Sequence, residues 1–115
     1  MLQQKLEQLG AAFAGVTTNC YHYFRNTKAM PCIVWAEEAE EGSFSSDNRK
    51  TEQHIVGTVH AYTRTEFDPM LDSVQAVLDR LGVGWNLESV QFEETTNLIH
   101  YTWRWGVAFY GEAEA

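Results

Sequence analysis

The spacing of apolar residues near the N-terminus predicts a helix. Leu2, Leu6, Leu9 and Phe13 recur at intervals of three and four residues, which places their side chains on one face of an α-helix. Gly15 is suited to end this helix because glycine readily adopts the left-handed conformation found after helix C-termini. We therefore expect an amphipathic helix over residues 1–14.

A second helix is predicted over residues 69–81. Asp68 is a good N-cap residue, Pro69 suits the first helical position, and Gly82 stands where a C-terminal glycine is expected. An apolar stripe with helical spacing runs between them, formed by Leu71, Val74, Leu78 and Leu81.

The remaining apolar patterns predict strands. Residues 16–24 and 32–36 are rich in β-favouring side chains, and the polar residues 25–28 between them favour a turn, so this part is typical of a hairpin. Residues 51–64 alternate with a period of two, and Gly57 among them indicates a bulge or a close neighbour. Residues 99–109 alternate most strongly of all.

In the strand predicted before residues 99–109, the apolar residues change from odd-numbered to even-numbered positions. Val83, Trp85 and Leu87 share one parity, whereas Val90 and Phe92 have the other. Successive strand residues point to opposite faces, so an extra residue is needed to bring both groups to one face. The pattern thus predicts a β-bulge near residues 88–89.

One long polar stretch interrupts these elements. Residues 37–50 contain four glutamates followed by small polar residues, with Phe44 as an isolated aromatic, and this predicts a long acidic loop. Residues 111–115 predict a frayed tail. The order of elements is then α-β-β-β-α-β-β, which indicates an α+β domain spanning residues 1–115. We expect a mainly antiparallel sheet of four to five strands with two helices packed on one face.

Charge narrows the possible functions. Eight Lys and Arg against sixteen Asp and Glu give a net charge of −8, which argues against coating nucleic acid and against docking on an anionic membrane. No apolar stretch approaches the roughly 20 residues that span a bilayer, and the N-terminus has no apolar signal segment. We therefore expect an acidic, soluble, intracellular protein.

The sequence contains few candidate catalytic or metal-binding residues. Cys20 and Cys32 match no zinc-ligand spacing and are interpreted as partly buried reduced thiols. His54 and His60 share one strand face but stand too far apart along it to hold one ion, roughly 20 Å, so no metal site is predicted. No nucleophile, base and orienting group come together in a known motif, so we expect no catalytic residues, no cofactor and no enzymatic activity.

Several short stretches, which together cover most of residues 21–107, match a known family in order and spacing. They are residues 21–23, 32–37, 47–53, 57–59, 63–69, 91–95 and 99–103. Through these stretches the chain resembles a family of small structural proteins of tailed bacteriophages and prophages, described as minor capsid, head–tail joining or tail-terminator-like components. No single stretch is a catalytic signature.

The resemblance implies a small α+β subunit of a homo-oligomeric ring, commonly a hexamer, at the head-proximal end of the tail tube. It implies assembly with tail-tube or head–tail connector proteins in the host bacterial cytoplasm, and a place in the tail or neck of the virion. We expect the long loop to form the assembly interface, through Glu37, Glu38, Phe44, Asp47, Asn48 and Arg49.

Two other functions remain open from the residues alone. Trp85, Trp103 and Trp105 could hold an apolar small molecule against the sheet, although an aromatic stripe with a period of two is more often sheet core. A regulator that binds a host protein would also be acidic and lack a catalytic site.

Overall fold

The computed structural model describes residues 2–26, 28–42 and 52–110. The elements follow the predicted order. They are α1 (Leu2–Ala14), β1 (Cys20–His22), β2 (Cys32–Glu40), β3 (Glu52–Thr63), α2 (Met70–Arg80), β4 (Gly84–Glu93) and β5 (Leu98–Tyr110). The five strands form one sheet in the order β1-β2-β3-β5-β4, which confirms the predicted α+β class.

The sheet is mixed rather than wholly antiparallel. β1 runs parallel to β2, with Cys20 opposite Ile33, while every other neighbouring pair is antiparallel. The predicted hairpin between residues 16–24 and 32–36 is therefore wrong. The residues between these strands do turn the chain, but they carry it back to the end of the sheet at which β1 begins, so that β2 runs in the same direction as β1. Local turn residues do not specify this longer connection.

The predicted boundary of the acidic loop is also wrong, because β2 continues to Glu40. Glu37 and Glu40 still pair with Gly57 and Ile55 of β3, so backbone hydrogen bonding holds this charged segment extended while its side chains reach solvent. Residues 43–50, including Phe44, lie outside the described part of the chain, as does the predicted tail at 111–115.

Gly57 lies opposite a β-bulge and also has close neighbours, the two features that a glycine within a strand indicates. The register between β2 and β3 shifts between Glu37 and Ala39, opposite this glycine. A Cβ atom at Gly57 would lie 2.1 Å from the carbonyl oxygen of Ala36 and 2.5 Å from Cζ2 of Trp105. Only a residue without a side chain fits between the neighbouring strand and the indole ring.

The predicted bulge in β4 is confirmed at Glu88, where the register with β5 shifts between Leu87 and Ser89. Leu87 pairs with Trp103, and beyond the bulge Val90 pairs with Tyr101. Directly opposed residues of antiparallel strands project to the same face. The bulge therefore returns the apolar residues of β4 to the face that carries the indole of Trp103.

Helix α2 has the ends that the sequence predicts, although it begins one residue later, at Met70. The Asp68 carboxylate accepts a hydrogen bond from the Met70 N–H at 2.8 Å. At the other end Gly82 has φ 70°, and the Val83 N–H donates to the Leu78 carbonyl at 3.2 Å. This left-handed glycine with a bond back across the last turn is a Schellman motif.

Both helices pack on the same face of the sheet. Leu9 and Phe13 of α1 are buried there, and α2 contributes the buried side chains of Met70, Val74, Val77 and Leu78. They meet a layer of strand side chains formed by Ile33, Trp35, Ile55, Val59, Ala61, Trp103, Trp105 and Val107. The opposite sheet face carries polar side chains, among them His60, Thr102 and Arg104.

Candidate functional site

The two helices do not bury every apolar side chain on their face of the sheet. Helix α2 begins beside the turn of the β4–β5 hairpin, since Asp68 accepts from Thr63 Oγ1 at 2.6 Å and Thr63 pairs with Ile99. It ends over the start of β4, where Trp85 Nε1 donates to Asp79 Oδ1 at 2.8 Å. β4 is the edge strand of the sheet, and part of it remains in solvent.

Apolar side chains are exposed on this edge strand. Leu87, Val90 and Phe92 are 41%, 52% and 58% exposed, and all three project to the helix-bearing face. Beside Val90 and Phe92, β5 places the half-buried side chains of Tyr101 and Ile99. We call Leu87, Val90 and Phe92 the hairpin patch. Several large apolar side chains in one exposed group are typical of a protein contact surface.

Phe67 adds an aromatic at the same end of the sheet. It follows Thr63, which pairs with Ile99, and Ile99 in turn pairs with Phe92. Its side chain is 86% exposed and its backbone has φ 59°, a conformation that costs free energy for a residue with a large side chain. The isolated chain therefore leaves this large apolar ring in solvent.

Charged side chains border this surface. Arg64, Glu66, Glu93 and Glu94 lie beside it in the β3–α2 connection and at the β4–β5 turn, and three of them are exposed. An apolar centre with a charged rim is the usual anatomy of a protein interface. The sequence predicts these strands, but it does not identify the hairpin patch. The exposure of the hairpin patch depends on β4 being the edge strand, which the order of elements alone does not specify.

Of the residues predicted to form an assembly interface, the structure describes two. Glu37 accepts hydrogen bonds from His22 Nε2 at 2.7 Å and from the Tyr23 hydroxyl. Glu38 accepts one from Thr58 Oγ1 at 3.0 Å and lies 3.7 Å from an Arg104 guanidinium nitrogen. Both carboxylates thus have partners within the subunit, on opposite faces of the sheet. Phe44, Asp47, Asn48 and Arg49 lie outside the described residues, so the interface at these six positions stays a prediction.

The tryptophans named for an apolar ligand belong mainly to the core. Trp103 and Trp105 are each 1% exposed, and Trp103 Nε1 donates to Gln75 Oε1 at 3.0 Å. The Trp105 indole nitrogen is buried with no hydrogen-bond partner among the described residues. The interpretation of this stripe as sheet core is confirmed, and an apolar ligand would retain only Trp85 as an accessible ring.

The histidine, cysteine and acidic side chains form no metal site in the part of the chain that the structure describes. Within residues 2–26, 28–42 and 52–110, no three His, Cys, Asp or Glu side chains lie close enough together to hold a metal ion. His60 lies beside His100 on the neighbouring strand, with His60 Nδ1 2.8 Å from His100 Nε2. Cys20 and Cys32 are free thiols, and burial, with a smaller contribution from Cys32, raises the pKa of Cys20 to about 11. No helix among the described residues is long and apolar enough to cross a membrane.

Comparison with known proteins finds a likeness in structure but none in sequence. No protein-family model matches the chain, and no curated protein matches it in sequence. Among solved structures, it is similar to a chain of the virion of a native gene transfer agent particle, with a TM-score of 0.52 and 13% identity. The match covers 95% of this chain and 91% of the other. At this identity the likeness shows a shared fold.

Proposed function

We propose that this protein is a non-enzymatic structural protein of a phage or prophage particle. The observation that carries the proposal is the fold shared with a chain of the gene transfer agent virion over 95% of the present chain. The match covers nearly the whole of both chains, so the likeness extends to the complete fold and not to a fragment. The resemblance of residues 21–107 to phage morphogenesis proteins, expected from the sequence, points to the same assignment.

Within the particle, we propose a tail-terminator-like or head–tail joining role exerted through assembly into a ring. The hairpin patch supports this role, because subunits of a ring need an apolar surface that one chain alone cannot cover. Its partners would be further copies of this chain, as in a hexamer, and tail-tube or connector proteins. The protein would act in the host bacterial cytoplasm during assembly and remain in the tail or neck of the virion.

Sedimentation velocity over a range of protein concentrations tests this role. The wild-type protein is expected to form a defined oligomer, and Phe92→Lys to shift it towards monomer because a charge would be buried in the contact. Phe24→Lys is the matched control, since Phe24 is 70% exposed but follows β1 at the other edge of the sheet. A wild-type protein that stays monomeric and associates with neither tail-tube nor connector proteins would contradict the proposal.

A further inference from the structure

A cavity of about 380 Å³ lies between α1 and the β1–β2 edge of the sheet, away from the hairpin patch. On the helix side, its walls include Leu6, Glu7 and Ala11 of α1. On the sheet side, they include Trp35 and Glu37 of β2, together with Tyr23, which directly follows β1. The volume falls in the range of small-molecule pockets and is sufficient for one long side chain. The hairpin surface described above does not involve these residues.

One wall of the cavity is a stack of aromatic rings. The His22 ring lies between those of Tyr23 and Trp35, with centroids 3.8 and 3.9 Å apart and interplanar angles of 17° and 8°. Tyr23 is 57% exposed, so its ring is accessible from the cavity mouth. Aromatic faces carry partial negative charge and attract cations that lie against them.

The same wall carries a fixed carboxylate. Glu37 is held by His22 Nε2 and the Tyr23 hydroxyl, one on each carboxylate oxygen, and its side chain is 21% exposed. An ionised carboxylate has about four acceptor positions, so two remain. Burial alone would raise the pKa of Glu37, but hydrogen bonds from Tyr23 and His22 outweigh it and lower the pKa, so the group is ionised at neutral pH.

Two carboxylates line the cavity, and the imidazole of His22 is the one potentially cationic side chain among the described lining residues. Glu7 on α1 adds a second carboxylate, which accepts a hydrogen bond from the Gln3 amide at 3.3 Å. None of the described residues that line the cavity is lysine or arginine. Glu38 and Glu41, by contrast, each lie 3.7 Å from Arg104 on the opposite sheet face.

We propose that this cavity binds a guanidinium group. A guanidinium is planar, so it can lie against the Tyr23 ring while its N–H fork donates to the free positions of Glu37, and its aliphatic stem fits against Leu6. An ammonium group would also be attracted to the ring face, but as a point charge it lacks the planar fork that matches two acceptor positions at once. The group belongs to an arginine side chain of a second copy of this chain or to a separate molecule.

Titration with N-acetyl-arginine amide tests whether the cavity binds a guanidinium group. Binding is followed through the indole N–H signal of Trp35 in proton–nitrogen NMR spectra. We expect a saturable shift of this signal. N-acetyl-citrulline amide is the matched control, because it has the same shape without the charge, and it should bind at least about tenfold more weakly. Equal binding of the two compounds, or no saturable shift with the arginine compound, would overturn the proposal.

Two variants locate the binding. Ala11→Leu fills the cavity from an exposed helix position, whereas Ala14→Leu places the same side chain on α1 outside the cavity. We expect Ala11→Leu and Glu37→Gln to weaken binding of the arginine compound by about tenfold or more, and Ala14→Leu to leave it unchanged. Undiminished binding to Ala11→Leu would overturn the proposal even if Glu37→Gln disturbed the fold.

The source of the guanidinium is distinguished by self-association. If the arginine comes from a second copy of this chain, Ala11→Leu will weaken the oligomer measured by sedimentation. If it comes from a separate molecule, the oligomer will be unchanged while binding of the arginine compound is lost. A monomeric protein that still binds this compound would contradict the ring assembly and leave the guanidinium site standing, so the two proposals fail separately.

Discussion

His60 Nδ1 lies 2.8 Å from His100 Nε2, across the β3–β5 pair on the sheet face opposite the helices. Thr102 Oγ1 is close to both rings, 3.2 Å from His60 Nδ1 and 3.4 Å from His100 Nε2. Two imidazoles at this distance share one proton comfortably and two protons poorly. The arrangement therefore disfavours protonation of both rings at once.

The histidine pair should make stability depend on pH. Burial lowers the pKa of both groups below the ordinary 6.5, and His60 lowers that of His100 further, although Glu38 and Glu88 near His60, and Glu93 near His100, oppose this. The unfolded chain therefore binds more protons below 6.5 than the folded chain does. Stability is fully present above this pH and is lost as the pH falls towards the lowered folded-state pKa values.

Urea unfolding at about pH 7.5 and about pH 5.5 measures this effect. We expect a lower midpoint at the acidic pH, and a smaller difference in His60→Gln because one of the two coupled groups is removed. His54→Gln is the control, since His54 is exposed at the other end of β3. If His54→Gln reduced the pH dependence as much as His60→Gln, the histidine pair would not be its source.

Gly57→Ala should be among the most destabilising single changes in the sheet. Its Cβ would overlap the Ala36 carbonyl and the Trp105 ring, and overpacking of this kind costs about 3 kcal/mol. Gly106→Ala is the control on the neighbouring strand, where the new Cβ would lie at an ordinary 3.5 Å from Val56 Cγ1. Thermal unfolding measures both, and equal losses of stability would show that the close approach at Gly57 is not the cause.

Gln75→Leu should destabilise the protein by about 1–3 kcal/mol, because it leaves the buried Trp103 N–H without an acceptor. The same substitution at Gln8, which is exposed on α1, should have an effect within about 0.5 kcal/mol. Denaturant unfolding measures the difference. A Gln75→Leu protein as stable as the wild type would mean that the Trp103 N–H finds another partner.

Asp68→Ala should cost about 1–2 kcal/mol, because the carboxylate caps α2 through the Met70 N–H and also accepts from Thr63 Oγ1 at 2.6 Å. Asp68→Asn should recover most of this loss, since its amide oxygen can still accept at the cap. Chemical unfolding of the two variants checks the expectation. Equal destabilisation by alanine and asparagine would favour the charge, rather than the hydrogen bonds, as the stabilising feature.

Particular residues show why some features could be predicted and others could not. The β4 bulge follows from the parity of Leu87 against Val90, and the ends of α2 follow from Asp68 and Gly82, because each signal lies within a few residues of its effect. The extension of β2 to Glu40 had no such signal. A charged segment becomes a strand only when a neighbour such as β3 is there to pair with it.

Local sequence patterns specify the number, order and type of the elements, the caps of α2, and the apolar face on which the core forms. These properties depend on conformational preference and on periodicity, both of which act between residues close together in the chain. The parallel pairing of β1 with β2, the contact between His60 and His100, and the cavity that Glu37 lines against α1 depend instead on which distant segments the fold brings together. The exposure of the hairpin patch likewise depends on which strands are neighbours, because β4 lies at the edge of the sheet.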